Sequence, residues 1–430
     1  MTENLKIGIA GLGTVGAGVL KILGVSGDLI AQRCARAIDV VGVCARDRAR
    51  ERGLGLAGAA WFDDAIALAK DPTIEVFIEL IGGSDGVALD AVRTALAHGK
   101  HVVTANKALI ALHGAELGAL AEAQGVALNF EAAVAGGIPI IKALREGLSA
   151  NRVSRVYGIL NGTCNYILSD MEETGRSFDA VLKQAQELGY AESDPSFDIG
   201  GIDTAHKLAI LASIAFGAQV DFSHVHIEGI EYISANDIIV ARELGYAIKL
   251  LGLACRTDQG VEQRVHPCLV KSDDAIAAVN GVVNAVVVES DQLGRLVMEG
   301  AGAGESPTAS AVIADIIDIA RGLVLPPFLR PSEFLRSEAV APMARHEGAY
   351  YIRLTAIDRP GVMAVIAEDL AHEGVSIDTI IQRGAERADS VPIILLTHQC
   401  RESVMVKALA RISSHDVIVK PPRMIRIEQL

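Results

Sequence analysis

Aromatic residues make up only 4% of this 430-residue chain, with a single Trp, so its core has to be built from Ala, Val, Ile and Leu. Cationic residues are also in deficit: 39 Lys and Arg stand against 53 Asp and Glu, a net charge of −14. Such a field repels phosphate backbones and anionic lipid alike, which argues against nucleic acid and membrane surfaces as partners but leaves room for a local basic pocket that holds a small anion. No two of the six cysteines (Cys34, Cys44, Cys164, Cys255, Cys268, Cys400) have CxxC spacing, so they read as reduced thiols of a cytoplasmic protein. No apolar run reaches the roughly 18 residues that a membrane span needs. The best, Leu208 to Val220, follows His206 and Lys207 and reads as a buried helix. The first residues, Met1 to Lys6, run into a strand-like segment without a signal-peptide pattern. Disorder is excluded by 50% hydrophobic against 21% charged residues, and no internal repeat is visible.

At roughly 100–200 residues per domain, the length predicts two to four domains. Up to residue 131, strand-like runs (Lys6 to Ala10, Val40 to Ala45, Glu75 to Ile81, His101 to Thr104, Val126 to Phe130) alternate with helical patterns near 14–23, 63–70, 86–98 and 108–124. That alternation predicts a parallel sheet covered by helices on both faces. Residues 132–300 lose it and predict an α+β layer with a mixed or antiparallel sheet, including a strand from Val282 to Glu289. A helix from Pro307 to Ala320 follows, with Pro in the first turn. Residues 326–348, rich in Pro, read as a linker. The remainder, 349–427, reads as a separate small unit in βαββαβ order: strand Tyr350 to Ala356, helix Val362 to His372, strands Val375 to Arg383 and Val391 to Thr397, helix Glu402 to Ile412, and a strand near Val417 to Ile427.

After the first strand comes Gly11-Leu-Gly13-Thr14-Val15-Gly16, a GxGxxG loop that opens a helix. Gly11 allows a tight turn, Gly13 lets a pyrophosphate approach the backbone, and Gly16 permits close helix–strand packing, while the helix N-terminus offers free N–H groups. The context predicts a dinucleotide site. At the end of the second strand, Arg46 stands where an acid would bind a ribose 2′-hydroxyl, which favours NADP over NAD. Alternatively, Arg46 and Arg48 only solvate the chain there and Asp47 turns toward the ribose.

A second informative stretch runs from Gly189 through Glu192, Asp194 and Asp198 to Asp203 and Lys207. Asp203 and Lys207 are four apart and share one helix face. Acids crowded beside one Lys suit a small cationic amine; the plain alternative is an exposed ion pair beside a solvated loop. This stretch, together with Val102-Val-Thr-Ala-Asn106-Lys107, Leu160-Asn-Gly-Thr163-Cys-Asn165 and Gly300-Ala-Gly-Ala-Gly-Glu-Ser-Pro, resembles the homoserine dehydrogenase family over roughly residues 5–320. Ala301 and Glu305 depart from the family pattern, where Pro and Gly are expected.

The resemblance implies a Rossmann-type NAD(P)-binding domain (1–131 with 301–325), an α+β substrate and dimerisation domain (132–300), and interconversion of L-homoserine and L-aspartate 4-semialdehyde. It implies Lys207 as the acid/base on the substrate oxygen, Asp203 as its holder, and Lys107 between nicotinamide and substrate. Asp203 opposes proton loss from Lys207, so orientation is its expected role. Glu192 and Asp198 would face the substrate ammonium and Gly189 would line the pocket. Gly11, Gly13, Thr14, Val15, Gly16, Arg46, Ser84, Lys107 and Gly302 would contact the cofactor. The run from Glu131 resembles the family's monovalent-cation loop, with the Glu131 carboxylate and the carbonyls of Val134, Gly136 and Ile138 around sodium; oxygen ligands suit a hard cation, and a Gly-rich hinge is the alternative.

The C-terminal unit, with Pro360-Gly361 entering its first helix, resembles an ACT domain. That implies an effector, L-threonine, bound where two copies meet, and a homodimer or homotetramer; a purely structural dimerisation role is the alternative. Two competing functions stay open on the sequence. A phosphorylating semialdehyde dehydrogenase would use Cys164 as nucleophile, which demands an activated thiolate. A non-catalytic sensor would bind an amino acid and read the NADP pool.

Overall fold

The computed structural model describes residues 3–48, 56, 58–382 and 390–430; Met1 and Thr2, and Arg383 at the expected end of a strand, lie outside them. The first sheet joins β1 (Leu5–Ala10), β2 (Ile38–Cys44), β3 (Ala60–Phe62), β4 (Val76–Glu79), β5 (His101–Thr104) and β6 (Leu128–Asn129) in the order β3-β2-β1-β4-β5-β6. All its pairings are parallel. Its strands are apolar on both faces because α1 (Thr14–Cys34) covers one and α2 (Ala65–Lys70), α3 (Val87–Ala97) and α4 (Lys107–Gln124) cover the other.

Two expectations change here. The first helix does not stop near residue 23; Gly24, Ser26 and Gly27 suggest a break, but Ile30 and Cys34 continue the buried face to the left-handed Ala35. This 21-residue helix, with a hydropathy of 1.5, and not Leu208 to Val220, is long and apolar enough to cross a membrane by length and composition. Its first half packs against a later helix, so its apolar character has a partner within the chain.

After the short turn α5 (Ile140–Lys142), the second layer carries β7 (Val153–Ile159), α6 (Gly162–Thr174), α7 (Phe178–Glu187), α8 (Ser196–Ile199), α9 (Ile202–Phe216), β8 (His226–Ile227) and α10 (Ala235–Glu243). The hairpins β9 (Tyr246–Thr257) with β10 (Gly260–Lys271) and β11 (Val283–Ser290) with β12 (Gly294–Ala301) complete it. These pair antiparallel, as the irregular pattern of 132–300 predicts. α9 is buried almost throughout. The chain then returns: α11 (Glu305–Ala320) lies on α1 in the core of the first sheet, so close that a side chain on Gly18 would meet Glu305 and Ala309. The departing residue Glu305 pairs there with Lys21 at 2.6 Å.

Residues 326–348 are a strap, not a free linker. Phe328 is fully buried 5.3 Å from the ring of Phe130 and against Gly114, while Arg336 and Val340 form bridges to Ala218 and Val261. The C-terminal unit is built from β13 (Glu347–Ile357), α12 (Val362–His372), β14 (Ile377–Gln382), β15 (Ser390–Thr397), the short β16 (Cys400–Arg401), α13 (Glu402–Ser413) and β17 (Ile418–Glu428). Its four long strands follow the order β17-β13-β15-β14. It is not separate, as its sequence suggests: β17 pairs in parallel with β10 through Cys268↔Arg426, Leu269↔Ile427 and Val270↔Glu428, making one 11-stranded sheet. A three-residue register has no signature in the sequence.

Candidate active site

Open α/β sheets bind ligands beyond the carboxyl ends of their strands. Every candidate cofactor residue of the first domain leaves such an end: Gly11 to Gly16 after β1, Arg46 after β2, Ser84 after β4 and Lys107 after β5. Gly11 needs its positive φ of 107°, and a side chain there would strike Leu80 O at 2.3 Å; on Gly16 it would strike Gly11 O at 2.1 Å. A side chain on Gly13 would meet nothing within 4 Å, which is the open space that a phosphate requires. Arg46 is exposed, and among the described residues no ion pair holds it, while the Arg48 guanidinium lies over Trp61. Ser84 is half-buried and donates to Asp85 at 2.6 Å. Gly302 sits apart, between β12 and α11, where a side chain would collide with Asn284.

Lys107 is the first residue of α4, and its placement is over-determined. Asn106 caps the helix through Leu109 N at 3.1 Å and also donates to Gly83 O at 2.6 Å. Its own N–H donates to Thr104 Oγ1, whose hydroxyl donates to the fully buried Glu79. Glu79 in turn accepts from the N–H groups of Ile81 and Gly82. One buried carboxylate thus shapes the loop after β4 and the start of α4 together.

Across from Lys107, α9 presents Asp203 and Lys207, both buried on one face as their spacing predicts. Asp203 Oδ2 accepts from Lys207 Nζ at 2.8 Å and Asn161 Nδ2 at 2.8 Å, and Oδ1 lies 3.1 Å from Lys107 Nζ. Burial alone would raise this carboxyl, but Lys207 and Lys107 outweigh it and hold it well below the ordinary range. Asp203 is therefore an ionised anchor. Lys207 gives a second hydrogen bond to Leu160 O at 2.7 Å. An ammonium has three donors, so one is left for a ligand.

Asn161 also donates to Asp198 at 2.8 Å. Burial, helped by neighbouring Asp203, pushes Asp198 upward despite that bond, and an arriving cation would pull it back down. The structure thus brings together Lys107, Asp198, Asp203 and Lys207. It does not bring in Glu192 or Gly189: both are exposed, and the Glu192 carbonyl accepts from Gln186 at 3.0 Å. Cys164 is fully buried, and burial pushes its thiol well above normal while it donates to Asp198 O; a thiolate nucleophile is disfavoured there.

Glu131 lies at the start of the loop between the two sheets and is buried. Its oxygens accept from Ile141 N and Lys142 N, each at 2.9 Å, and its own N–H donates to Asp315. Burial, with Asp315 adding to it, raises the carboxyl to about 8. The carbonyls of Val134 and Gly136 accept no hydrogen bond from any described residue, whereas Ile138 O accepts from Ile140 N. A second group, His266, Cys268 and Glu428, clusters within 4.8 Å, but the Arg264 guanidinium already bonds both Glu428 oxygens at 2.9 Å and His266 Nε2 at 3.1 Å, leaving a metal no place.

Comparison with known proteins decides the family. The family model for homoserine dehydrogenase matches residues 139–317, and that for the homoserine dehydrogenase NAD binding domain matches 11–131. A homoserine dehydrogenase of Pseudomonas aeruginosa is 48% identical over the full length of both chains. The chain belongs to the homoserine dehydrogenase family. It is an NAD(P)-dependent oxidoreductase of that family, with the Rossmann-like first domain this requires. A homoserine dehydrogenase of Neisseria gonorrhoeae is 45% identical over 100% of this chain and 99% of its own. Among solved structures, the homoserine dehydrogenase of Thiobacillus denitrificans superposes with a TM-score of 0.93 at 46% identity, covering 99% of both chains. A hyperthermophilic archaeal homoserine dehydrogenase in complex with NADPH matches with a TM-score of 0.65 at 27% identity, over 76% of this chain and all of its own.

Sequence reading did not single out Asn161, Thr104 or Glu79. Asn161 and Asn106 both look like ordinary helix caps, which they also are. Glu79 carries a signal in retrospect: an acid inside a continuous apolar strand of a doubly covered sheet has to find donors or be excluded.

Proposed function

We propose that this enzyme interconverts L-homoserine and L-aspartate 4-semialdehyde with NADP as the preferred cofactor and NAD as the alternative, as a step of threonine and methionine biosynthesis. The observation that carries the reading is the four-residue cluster in which Asp203 ties Lys107, from the nucleotide-binding half, to Lys207, from the substrate half. The nicotinamide, when bound, supplies or accepts the hydride. Proton transfer and orientation fall to the chain. Lys207, with two donors fixed on Asp203 and Leu160 O, directs its third at the substrate oxygen and gives or takes the proton there. Asp203 orients it and stays ionised. Asp198 faces the substrate ammonium, and the resemblance to the family adds Glu192 toward that ammonium and Gly189 to the pocket lining. Gly11 to Gly16 cradle the pyrophosphate, Gly302 and Ser84 border the cofactor, and the exposed Arg46 takes the 2′-phosphate, in keeping with the relative that binds NADPH.

The test is an absorbance assay with L-homoserine and each cofactor. Lys207→Ala should lower turnover by roughly 10²–10⁴-fold, the usual worth of a general acid/base, while NADPH still binds by fluorescence. Near-normal turnover in that variant refutes the role. Arg46→Ala should narrow the gap between NADP and NAD.

Sodium at Glu131 is part of the proposal, supported by hard oxygen donors: a buried carboxyl group and the carbonyls of Val134 and Gly136, which accept no hydrogen bond from a described residue, with Ile138 as the weakest fit. Replacing choline with sodium should then raise the melting temperature of the wild type and not of Glu131→Gln. The βαββαβ order of 349–427, with the left-handed Gly361 (φ 93°) opening α12, supports an ACT domain responding to L-threonine. The edge strand β14, with Ile380 half exposed, supports assembly into a homodimer or homotetramer, and the six free thiols are in keeping with a cytoplasmic enzyme. Added threonine lowering turnover would bear out the regulatory part.

A further inference from the structure

α8 is a single turn held between the acidic loop and α9, and it carries Phe197 directly before Asp198. The Lys107 ammonium lies over the Phe197 ring, 5.7 Å from its centroid. Beyond that ring, His206 stands with its centroid 5.6 Å away, and Phe222 follows at 4.3 Å from His206. The three rings form a tilted row that begins where Lys107 meets Phe197.

We propose that Phe197 is a positioning residue for Lys107: its π face and the Asp203 carboxylate together fix the cation of the nucleotide-binding half against the substrate half. This rests on Lys107 acting between cofactor and substrate, as proposed above. The need for a second anchor follows from the first one's load. Asp203 Oδ2 is committed to Lys207 and Asn161, so Lys107 shares only Oδ1, at 3.1 Å, and its side chain is still 34% exposed. A flexible four-carbon stem with one ion pair swings about that pair; an aromatic face on another side limits the swing.

His206 fits the same purpose. It is 5% exposed, and among the described residues its Nδ1 has no hydrogen-bond partner. Burial, with Lys107 acting in the same direction, lowers its pKa and keeps the imidazole neutral. A neutral ring there braces Phe197; an imidazolium would repel the ammonium above it. Phe197 itself is 38% exposed, so core packing is not what holds the ring at this place.

A cation–π contact is worth about 0.5–2 kcal/mol depending on desolvation, equivalent to about a 2- to 30-fold change. Phe197→Leu, which keeps apolar bulk and removes the π face, should lower kcat by that factor while NADPH affinity, read by fluorescence, and the melting temperature stay close to wild type. Phe197→Tyr should restore kcat. In a Lys107→Ala background, Phe197→Leu should cause no further loss. Wild-type kcat in Phe197→Leu, an equal loss in Phe197→Tyr, or a full additional loss on top of Lys107→Ala each overturns the proposal. Full turnover in Lys107→Ala alone overturns the underlying role of Lys107, an outcome that the Phe197 variants by themselves cannot produce.

Discussion

Asn161 uses both ends of its amide: Oδ1 accepts from Cys164 N at 2.8 Å as the cap of α6, and Nδ2 donates to Asp198 and Asp203. The two uses can be separated. Asn161→Ser keeps a capping oxygen but replaces the amide NH2, which serves both carboxylates at once, with a single hydroxyl proton on a shorter side chain. A hydrogen bond to a charged group is worth about 1.5–3 kcal/mol, so kcat/KM should fall about 10- to 100-fold while the melting temperature moves little, because Ser caps about as well as Asn. Unchanged kcat/KM would mean that the bridge is ornamental. At this scale the sequence is informative where chemistry depends on local spacing. Asp203 and Lys207 are legible because four residues of helix place them side by side. Asn161 is 42 residues from Asp203, and Lys107 arrives from another domain, so only the resemblance to a family, never periodicity, could join them.

At the scale of elements, the glycine loop makes a sharper prediction than its motif does. Gly16 and Gly11 are excluded from bearing a side chain by backbone oxygens at 2.1 and 2.3 Å, whereas the position of Gly13 is open. Gly13→Ala should therefore leave the melting temperature nearly unchanged and abolish much of the NADPH binding, by filling the space kept for pyrophosphate. Gly16→Ala should lower both, since the helix must move off the strand. Equal melting temperatures for the two variants would show that the loop relaxes freely. Regular elements were mostly legible: α12 runs from Val362 to His372 as its periodicity predicts, and β5 from His101 to Thr104. The failures have physical causes. The helical pattern reads as ending near residue 23 although buried Ile30 and Cys34 keep α1 going, and the four prolines of the strap read as a linker although buried Phe328 fastens it. Phe328→Ala should destabilise the protein by about 3–5 kcal/mol, the usual cost of deleting a buried Phe, where a free linker would tolerate it; a thermal melt distinguishes the two.

For the molecule as a whole, the decisive joint is the parallel seam between β10 and β17, and it is lined with buried charge. Arg426 on β17 bonds Glu402 at the start of α13 and Glu228 beside β8, the latter at 2.8 Å, and Tyr350 donates to Glu402. The residues after Glu228 lie directly on the active-site turn: Ile230 N donates to Ile199 O at 2.9 Å, next to Asp198. The seam therefore joins the C-terminal unit to the helix turn that carries a substrate residue, and acid should open it. Burial alone would raise Glu228, but the hydrogen bonds from His226 and Arg426 outweigh it and lower the carboxyl to about 2 from an ordinary 4.5. A carboxylate lowered on folding stabilises the native state fully above its unfolded pKa, and that contribution drains away as pH falls from 4.5 toward 2. The amount at stake is about 3 kcal/mol at most. Hydrogen exchange at decreasing pH should show β17 and α13 losing protection before the parallel sheet, and Glu228→Gln should be less stable at neutral pH with a shallower acid slope. If β17 keeps its protection until the whole molecule unfolds, the seam is not where acid acts, and the C-terminal unit and the catalytic layer behave as one body.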